Sequence, residues 1–256
     1  MRISRWMKRL VILDLFLLCL LFFLRAGKAQ VLSAQSCRVG KMTQGNGVMS
    51  TDGQYLNGEN RNGGYKQDAQ EEEKKIALTF DDGPHPVYTE RLLEGLKKRG
   101  VIATFFVTGE HAKLHPELIV RMAEEGHVIG NHTYSHMQLK QDNREEFKQE
   151  LVATNEIIRK ITGESVCFVR PPYGIWDKKL ESELSMLPVL WTIDPLDWCS
   201  DNAECIAEQI IQKAKENDII LLHDYYSSSV EAALKVVDAL QQQGFVFVGV
   251  EEILFD

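Results

Sequence analysis

The sequence lacks an excess of basic residues and has few cysteines. Its 256 residues include 29 Lys and Arg against 37 Asp and Glu, so the formal net charge is −8. Nucleic-acid-binding domains and polybasic membrane-surface proteins usually carry a basic excess, so both classes are disfavoured. The five cysteines match no zinc-binding spacing and are too few for a disulfide scaffold. A bridge between Cys199 and Cys205 and a set of free or buried thiols are equal alternatives.

The first thirty residues have the layout of an export signal. Four basic side chains lie within the first nine residues, the stretch 10–24 is apolar except for Asp14, and Gly27 and Ala29 follow at the spacing of a cleavage site. Fifteen apolar residues are short for a bilayer span. We therefore expect an exported protein that is extracellular, associated with the cell wall or anchored by an uncleaved segment 1–29. Contact with the membrane is expected only through this segment.

After the signal we expect a flexible linker and one domain. Residues 30–73 are rich in Gly, Asn, Gln and Ser and show almost no apolar periodicity, which is typical of a flexible, low-complexity segment. In the domain 74–256 strand and helix patterns alternate. The predicted strands are 76–80, 102–108, 128–130, 166–169, 189–193, 219–222 and 245–248. The predicted helices are 87–99, 116–125, 144–161, 178–184, 203–215 and 230–243.

This alternation predicts an α/β fold. Seven strands separated by helices imply a parallel sheet, either open or closed into a barrel. The domain is short for a complete eightfold barrel, which takes about 250 residues. The sequence carries no signal for an oligomer.

Five polar motifs directly follow or end predicted strands, where α/β folds build their sites. The motifs are 79–84 (TFDDGP), 132–136 (HTYSH), 170–174 (RPPYG), 194–198 (DPLDW) and 219–223 (IILLH). Taken singly, each has an ordinary alternative. These alternatives are a solvated capping turn, two surface histidines, a rigid proline loop, a capping turn with a half-buried tryptophan and a structural histidine.

The first two motifs contain residue types suited to metal-assisted hydrolysis. Asp81 and Asp82, adjacent at a strand end, would supply one general base and one metal ligand. His132 and His136 are spaced i and i+4, which on a helical turn places both within reach of one cation. Neutral imidazole together with carboxylate suits zinc or a similar first-row ion.

The other three motifs add charged and aromatic side chains at neighbouring strand ends. Arg170 is placed to hold a carboxylate in its ionised form. Asp194, Asp197 and Trp198 put two acids and a large aromatic at one position. His223 ends an apolar strand and is a candidate general acid.

Together and in this order, the five motifs resemble those of the polysaccharide deacetylase family, the NodB-homology domains of carbohydrate esterase family 4. The resemblance covers about residues 74–255. It implies a distorted, incomplete (β/α) barrel with about seven parallel strands. It also implies removal of N-acetyl groups from a polysaccharide that contains N-acetylglucosamine, peptidoglycan or chitin-like, with release of acetate.

The resemblance further implies a metal centre and a general base. Asp82, His132 and His136 would bind one divalent metal ion, with zinc as the first expectation and cobalt or another first-row ion as the alternative. Asp81 would be the general base, and Arg170 would keep it ionised and aimed.

The remaining implied roles concern the leaving group and the pocket. His223 would protonate the departing amine, held by Asp197, and the other acid of that motif is a second candidate for this contact. The backbone N–H of Tyr173 would stabilise the oxyanion, and Trp198 and Leu221 would line the pocket for the acetyl methyl group.

Three other functions stay open beside this one. They are a deacylase of a small non-sugar amide, a catalytically silent cell-wall-binding protein, and a secreted structural or interaction protein. A binding module needs no acid–base pair, so Asp81, Arg170 and His223 argue against a silent protein.

Overall fold

The computed structural model describes residues 73–255. The predicted signal 1–29, and all of the predicted linker 30–73 except its last residue, lie outside this range. The strands are β1 Lys74–Asp81, β2 Thr104–Val107, β3 Val128–Asn131, β4 Phe168–Val169, β5 Leu187–Pro188, β6 Ile219–His223 and β7 Phe245–Val248. The helices are α1 Tyr88–Arg99, α2 Gly109–Leu114, α3 Pro116–Glu124, α4 Arg144–Thr162, α5 Lys179–Leu184, α6 Ala203–Lys213, α7 Ser227–Gln242 and α8 Val250–Phe255. None of these helices is both long and apolar enough to cross a bilayer.

The strands form one parallel sheet centred on β1. The order is β5-β4-β3-β2-β1-β6, and β7 also pairs with β1. β7 pairs with the first half of β1 and β6 with its second half, so both share one edge of that strand. Beyond β5 the chain returns to β6 through a single bridge between Ile193 and Ile220, so the sheet curls towards closure. The predicted incomplete barrel of parallel strands is confirmed.

The helices cover the sheet and form its main core. α1 buries Leu92, Leu93 and Leu96, at the spacing of one helical face, and ends at Gly100 in the left-handed conformation (φ 63°). Burying one leucine side chain contributes about 1.5–3 kcal/mol. This packing fixes the strands, and it therefore also fixes where the loops at their carboxyl ends begin.

The predicted strand 189–193 is wrong. The structure places a two-residue strand earlier, at Leu187–Pro188, and only Ile193 of the predicted segment makes a bridge. The reason is that the carbonyls of Val189 and Leu190 accept hydrogen bonds from the Arg170 side chain, at 3.0 and 3.3 Å, instead of continuing a ladder. The conformation of the apolar segment 189–193 is therefore set by its contacts with the buried Arg170 side chain.

Two short helices were not predicted from the sequence, and the pairing of the cysteines was left open. Gly109–Leu114 and Val250–Phe255 have six residues each, too few for a helical periodicity to be recognised. Cys199 and Cys205 are free and exposed, so the bridge considered between them is absent. Cys167 is disulfide-bonded.

A fully buried carboxyl, Asp224, joins the end of β6 to the turn after β1. The Thr89 hydroxyl donates a hydrogen bond to Asp224 Oδ2 and accepts one from the His85 backbone N–H at 2.7 Å. A Cβ on Gly83 would lie 2.3 Å from the Asp224 oxygens, so the close approach requires glycine. Burial raises the pKa of Asp224 to about 7, the charge of Asp82 adds to this, and the hydrogen bond from Thr89 opposes it.

The raised pKa of Asp224 predicts how stability depends on pH. Between about pH 4 and pH 7 the folded state holds a proton that the unfolded state has lost, so the free energy of unfolding falls as pH rises, by at most about 1.4 kcal/mol per pH unit. Asp224→Asn removes this contribution and flattens the profile measured by urea unfolding. Asp238→Asn is the matched control, because Arg99 lowers the pKa of Asp238 and the effect there has the opposite sign. Parallel profiles for wild type and Asp224→Asn would contradict the assignment.

Candidate active site

The parallel register brings the first and fifth motifs side by side. Asp81 on β1 is the register partner of His223 on β6, and Thr79 is the partner of Leu221. Alternate residues of a strand share one face, so each of these strands presents its two residues on the same side. Leu221 is buried and lies two residues before His223 on β6. The resemblance assigns Leu221 to the pocket for the acetyl methyl group.

Asp82, His132 and His136 form the candidate metal centre. One ligand atom from each lies within 4.8 Å of the other two. Asp82 Oδ1 is 3.4 Å from Nε2 of both imidazoles. The predicted helical turn across 132–136 is wrong, since the segment is an irregular loop in which Thr133 and His136 have φ angles of 63° and 58°. The loop nevertheless brings the two imidazole centroids to 4.9 Å.

The orientation and charge of these groups fit a divalent cation. His132 Nδ1–H donates to the Arg170 carbonyl at 2.6 Å, which leaves the Nε2 lone pair directed towards Asp82. Asp82 Oδ1 is buried without a hydrogen-bond donor among the described residues. Burial alone would raise the pKa of Asp82, but His132, followed by His136 and His223, lowers it to about 2. An aimed imidazole beside an unpartnered carboxylate oxygen is a ligand set typical of zinc.

Arg170 is completely buried, and its side chain fixes Asp81 by a hydrogen bond. Its Nη1 donates to Asp81 Oδ1 at 2.9 Å and to Thr79 Oγ1 at 2.6 Å, and its Nε donates to the Val189 carbonyl. The guanidinium carbon lies 4.2 Å from the centre of the Phe106 ring. A buried cation is costly unless its charge and its donors are satisfied. Here both conditions are met, and Asp81, the first carboxylate of the first motif, is fixed in position by the guanidinium.

His223 is held by Asp197 through two hydrogen bonds. Asp197 Oδ1 accepts from His223 Nδ1 and Oδ2 accepts from the His223 backbone N–H, both at 2.8 Å. Burial opposes protonation, but the hydrogen bond and charge of Asp197, aided by Asp81 and Asp82, raise the pKa of His223 to about 9. Asp194, the second candidate for this contact, instead accepts from the Leu196 backbone N–H.

Tyr173 and Trp198 lie at the open rim of the site. Their side chains are 65% and 55% exposed, and the Tyr173 ring packs edge-on against His136 at 5.1 Å. The site loops also hold most of the strained backbone of the described chain. Of seven non-glycine residues with positive φ, five belong to these loops, namely Asp82, Thr133, His136, Tyr173 and Leu196. A strained backbone of this kind persists only where the surrounding contacts hold it in place, and it is frequent at functional sites.

Several supporting residues were missed at the level of sequence. Glu150 on α4 accepts hydrogen bonds from the backbone N–H groups of Tyr134 and Ser135, and so holds the second motif. His111 Nδ1 donates to the Asp82 carbonyl at 2.7 Å. Asn131 directly precedes the second motif and accepts a hydrogen bond from the Thr133 backbone N–H. Of these three residues, it is the only one whose position in the sequence points to the site. Glu150 and His111 carry no pattern that ties them to the site.

Comparisons with known proteins agree with this geometry. Residues 68–189 match the model of the polysaccharide deacetylase family. The chain is 40% identical over 181 residues to the peptidoglycan-N-acetylmuramic acid deacetylase PdaC of Bacillus subtilis, which covers 71% of this chain and 39% of that protein. It is 38% identical over 181 residues to a peptidoglycan-N-acetylglucosamine deacetylase of Bacillus cereus, which covers 68% of this chain and 66% of that protein.

A solved structure shows the same fold at high identity. The structure of PdaC from Bacillus subtilis matches with a TM-score of 0.69 and 39% identity, over 72% of this chain and 91% of the solved chain. The chain spans less than two thirds of the full length of the two curated relatives, at 39% and 66%. The family and the fold inferred from the five motifs are confirmed: the chain belongs to the polysaccharide deacetylase family.

Proposed function

We propose that this chain hydrolyses N-acetyl groups of an exported polysaccharide that contains N-acetylated amino sugars, peptidoglycan or a chitin-like glycan, and releases acetate. The observation that carries the proposal is the placement of a carboxylate, Asp81, and an imidazole, His223, on adjacent strands beside the Asp82–His132–His136 cluster. The names of the curated relatives support the substrate class. The signal-like segment 1–29 supports a location outside the cytoplasmic membrane, where such polymers lie.

A divalent metal ion, zinc or another first-row ion, would be held by Asp82, His132 and His136. When bound, such an ion supplies Lewis-acid polarisation of the acetamide carbonyl and of the attacking water. The chain contributes the ligand orientation, since the hydrogen bond from His132 to the Arg170 carbonyl fixes which imidazole nitrogen faces the site.

Asp81 accepts the proton of the attacking water. Its Oδ1 is held by Arg170, while its Oδ2 lies 3.8 Å from His132 Nε2 and faces the site. A carboxylate fixed in this way is a pre-oriented general base. The backbone N–H of Tyr173 supplies a donor to the developing oxyanion, because such donors act where negative charge accumulates.

His223 donates a proton to the departing amine nitrogen. Its raised pKa keeps the imidazole protonated at neutral pH, and the hydrogen bond to Asp197 fixes the ring orientation. Asp81, held by Arg170, is thus the base, and His223, held by Asp197, is the acid. Leu221, which is buried, and Trp198, which is 55% exposed, contact the acetyl methyl group in this proposal.

Acetate release tests the proposal. The purified chain should release acetate from N-acetylglucosamine oligomers or from peptidoglycan, and a chelator should abolish the release. Asp81→Asn should lower turnover about 10²- to 10⁴-fold and keep zinc binding, whereas His132→Ala should lose both. His115→Ala, outside the site, is the control and should change neither.

Folding of each variant is checked by urea unfolding, because Asp81 also balances the charge of Arg170. Zinc affinity unaltered in a folded His132→Ala protein would contradict the ligand assignment. Release of no acetate from either polymer by the zinc-loaded wild type would overturn the function itself.

The His223–Asp197 pair predicts the alkaline limb of the pH profile. The reaction needs His223 protonated, so activity is lost as pH rises through the pKa of His223. Asp197→Asn removes the charge that raises this pKa, and the limb should move to lower pH by about 1 to 3 units. Asp194→Asn is the matched control, because Asp194 contacts the Leu196 backbone instead. A limb that is the same in wild type and Asp197→Asn would exclude His223 as the acid.

A further inference from the structure

The segment 108–111, between the end of β2 and the first turn of α2, belongs to none of the five motifs, yet it bonds to both loops that supply the candidate metal ligands. Towards the first motif, the Thr108 backbone N–H donates to the Gly83 carbonyl at 3.1 Å, and His111 Nδ1 lies 2.7 Å from the Asp82 carbonyl. A carbonyl oxygen only accepts hydrogen bonds, so this nitrogen of His111 carries the hydrogen and donates it. Two consecutive carbonyls of the first motif are therefore fixed by one segment.

The same segment contacts the second motif through its backbone. The Gly109 N–H donates to the Thr133 carbonyl at 2.9 Å, and the Glu110 N–H donates to the Tyr134 carbonyl at 3.0 Å. A Cβ on Gly109 would lie 2.5 Å from the Tyr134 ring and 3.2 Å from the Tyr134 Cα, so this close approach requires glycine. The segment is thus bonded to both motifs at once.

Among the candidate ligands, Asp82 depends on such support for its backbone. It is a non-glycine residue with a φ angle of 72°, a left-handed conformation that persists only where neighbouring contacts hold it. Its Oδ1 also has to face Nε2 of two imidazoles, at 3.4 Å from each. The backbone angles of a residue set the direction of its Cα–Cβ bond. A hydrogen bond that fixes the Asp82 carbonyl therefore also restricts where the carboxylate projects.

His111 is itself held in place by the protein. Its ring is stacked on that of Tyr225, with 5.2 Å between the centroids and 28° between the planes. Its Nδ1 lies 3.0 Å from the Thr108 hydroxyl, which also caps α2 by accepting from the His111 backbone N–H. A donor that is fixed in this way loses little further freedom when it orders a ligand residue.

We propose that His111 is a positioning residue for the candidate metal ligand Asp82: its Nδ1–H fixes the Asp82 carbonyl and thereby directs the carboxylate. This inference rests on the metal centre of the proposed function, because it takes Asp82 to bind the divalent ion. Groups that orient metal ligands typically contribute about 10- to 100-fold to metal affinity. His111 serves the carboxylate ligand, whereas the Arg170 carbonyl serves His132.

Metal affinity in matched variants tests this role. The metal-free full chain is titrated with zinc in competition with a chelating indicator, and with cobalt(II), whose visible absorption reports the ligand geometry. His111→Phe keeps an aromatic ring beside Tyr225 but removes the donor, and it should weaken zinc binding about 10- to 100-fold and change the cobalt spectrum. His115→Phe, the same change at the end of the same helix, is the control and should alter neither.

A second pair of variants separates the hydrogen bond from the packing of the ring. His111→Asn keeps a donor nitrogen near the position of Nδ1, whereas His111→Leu has nearly the same shape as asparagine without a donor. Zinc affinity should stay within about 3-fold of wild type in His111→Asn and should fall in His111→Leu about as far as in His111→Phe. Urea unfolding of the metal-free proteins checks that each variant is folded, and His111→Leu replaces His111→Phe if the latter does not fold.

The outcomes separate this inference from the proposed function, because the titrations need no turnover. Unaltered zinc affinity in a folded variant without the donor overturns the role of His111 and leaves the deacetylase intact. An equal loss of affinity in the asparagine and leucine variants also overturns it, since the ring and not the donor would then matter. A wild type that binds zinc but releases no acetate overturns the proposed function, and the same titrations still decide on His111. A wild type that binds neither zinc nor cobalt overturns the ligand assignment and this inference with it.

Discussion

The buried side chain of Arg170 is the contact on which the rest of the site depends. Its guanidinium fixes Asp81, while its backbone carbonyl accepts a hydrogen bond from His132 Nδ1. One residue thus sets the position of the proposed base and the orientation of a proposed metal ligand. The same guanidinium also donates to the Val189 and Leu190 carbonyls, so one buried side chain contacts both the site and the segment that follows β5.

Much of the fold was predictable because it follows from local rules. The strand and helix patterns alternate, and parallel strands place their carboxyl ends at one edge, which brings motifs distant in sequence together. The register partners Asp81 and His223 are an example, since each simply ends its strand. The loop 132–136 and the segment 189–193 were mispredicted because long-range contacts decide them. Glu150 and the Arg170 side chain override the local preference, and neither contact leaves a pattern in the chain.

Asp224 illustrates a second limit of sequence-based inference. It follows His223 directly and reads as an ordinary polar residue after a strand, yet it is completely buried beneath Gly83 and tied to Thr89. The burial of Asp224 becomes evident only in the structure, where the end of β6, the turn after β1 and α1 pack together. Because the buried carboxyl of Asp224 must ionise as pH increases, the free energy of unfolding falls. The rest of the core offsets this loss of stability and so keeps the turn that carries Asp82 in place.

The distribution of exposed rings argues for a long substrate over a small amide. A small amide is best held in an enclosing pocket that buries most of its surface. Here the reacting groups lie at an open edge, and Tyr173, Trp198, Tyr225 and Tyr226 stay exposed on its flanks. Exposed apolar surface reduces solubility, so its concentration here needs a compensating use. A glycan that crosses the edge covers these rings in one binding event, whereas a small amide leaves most of them in water.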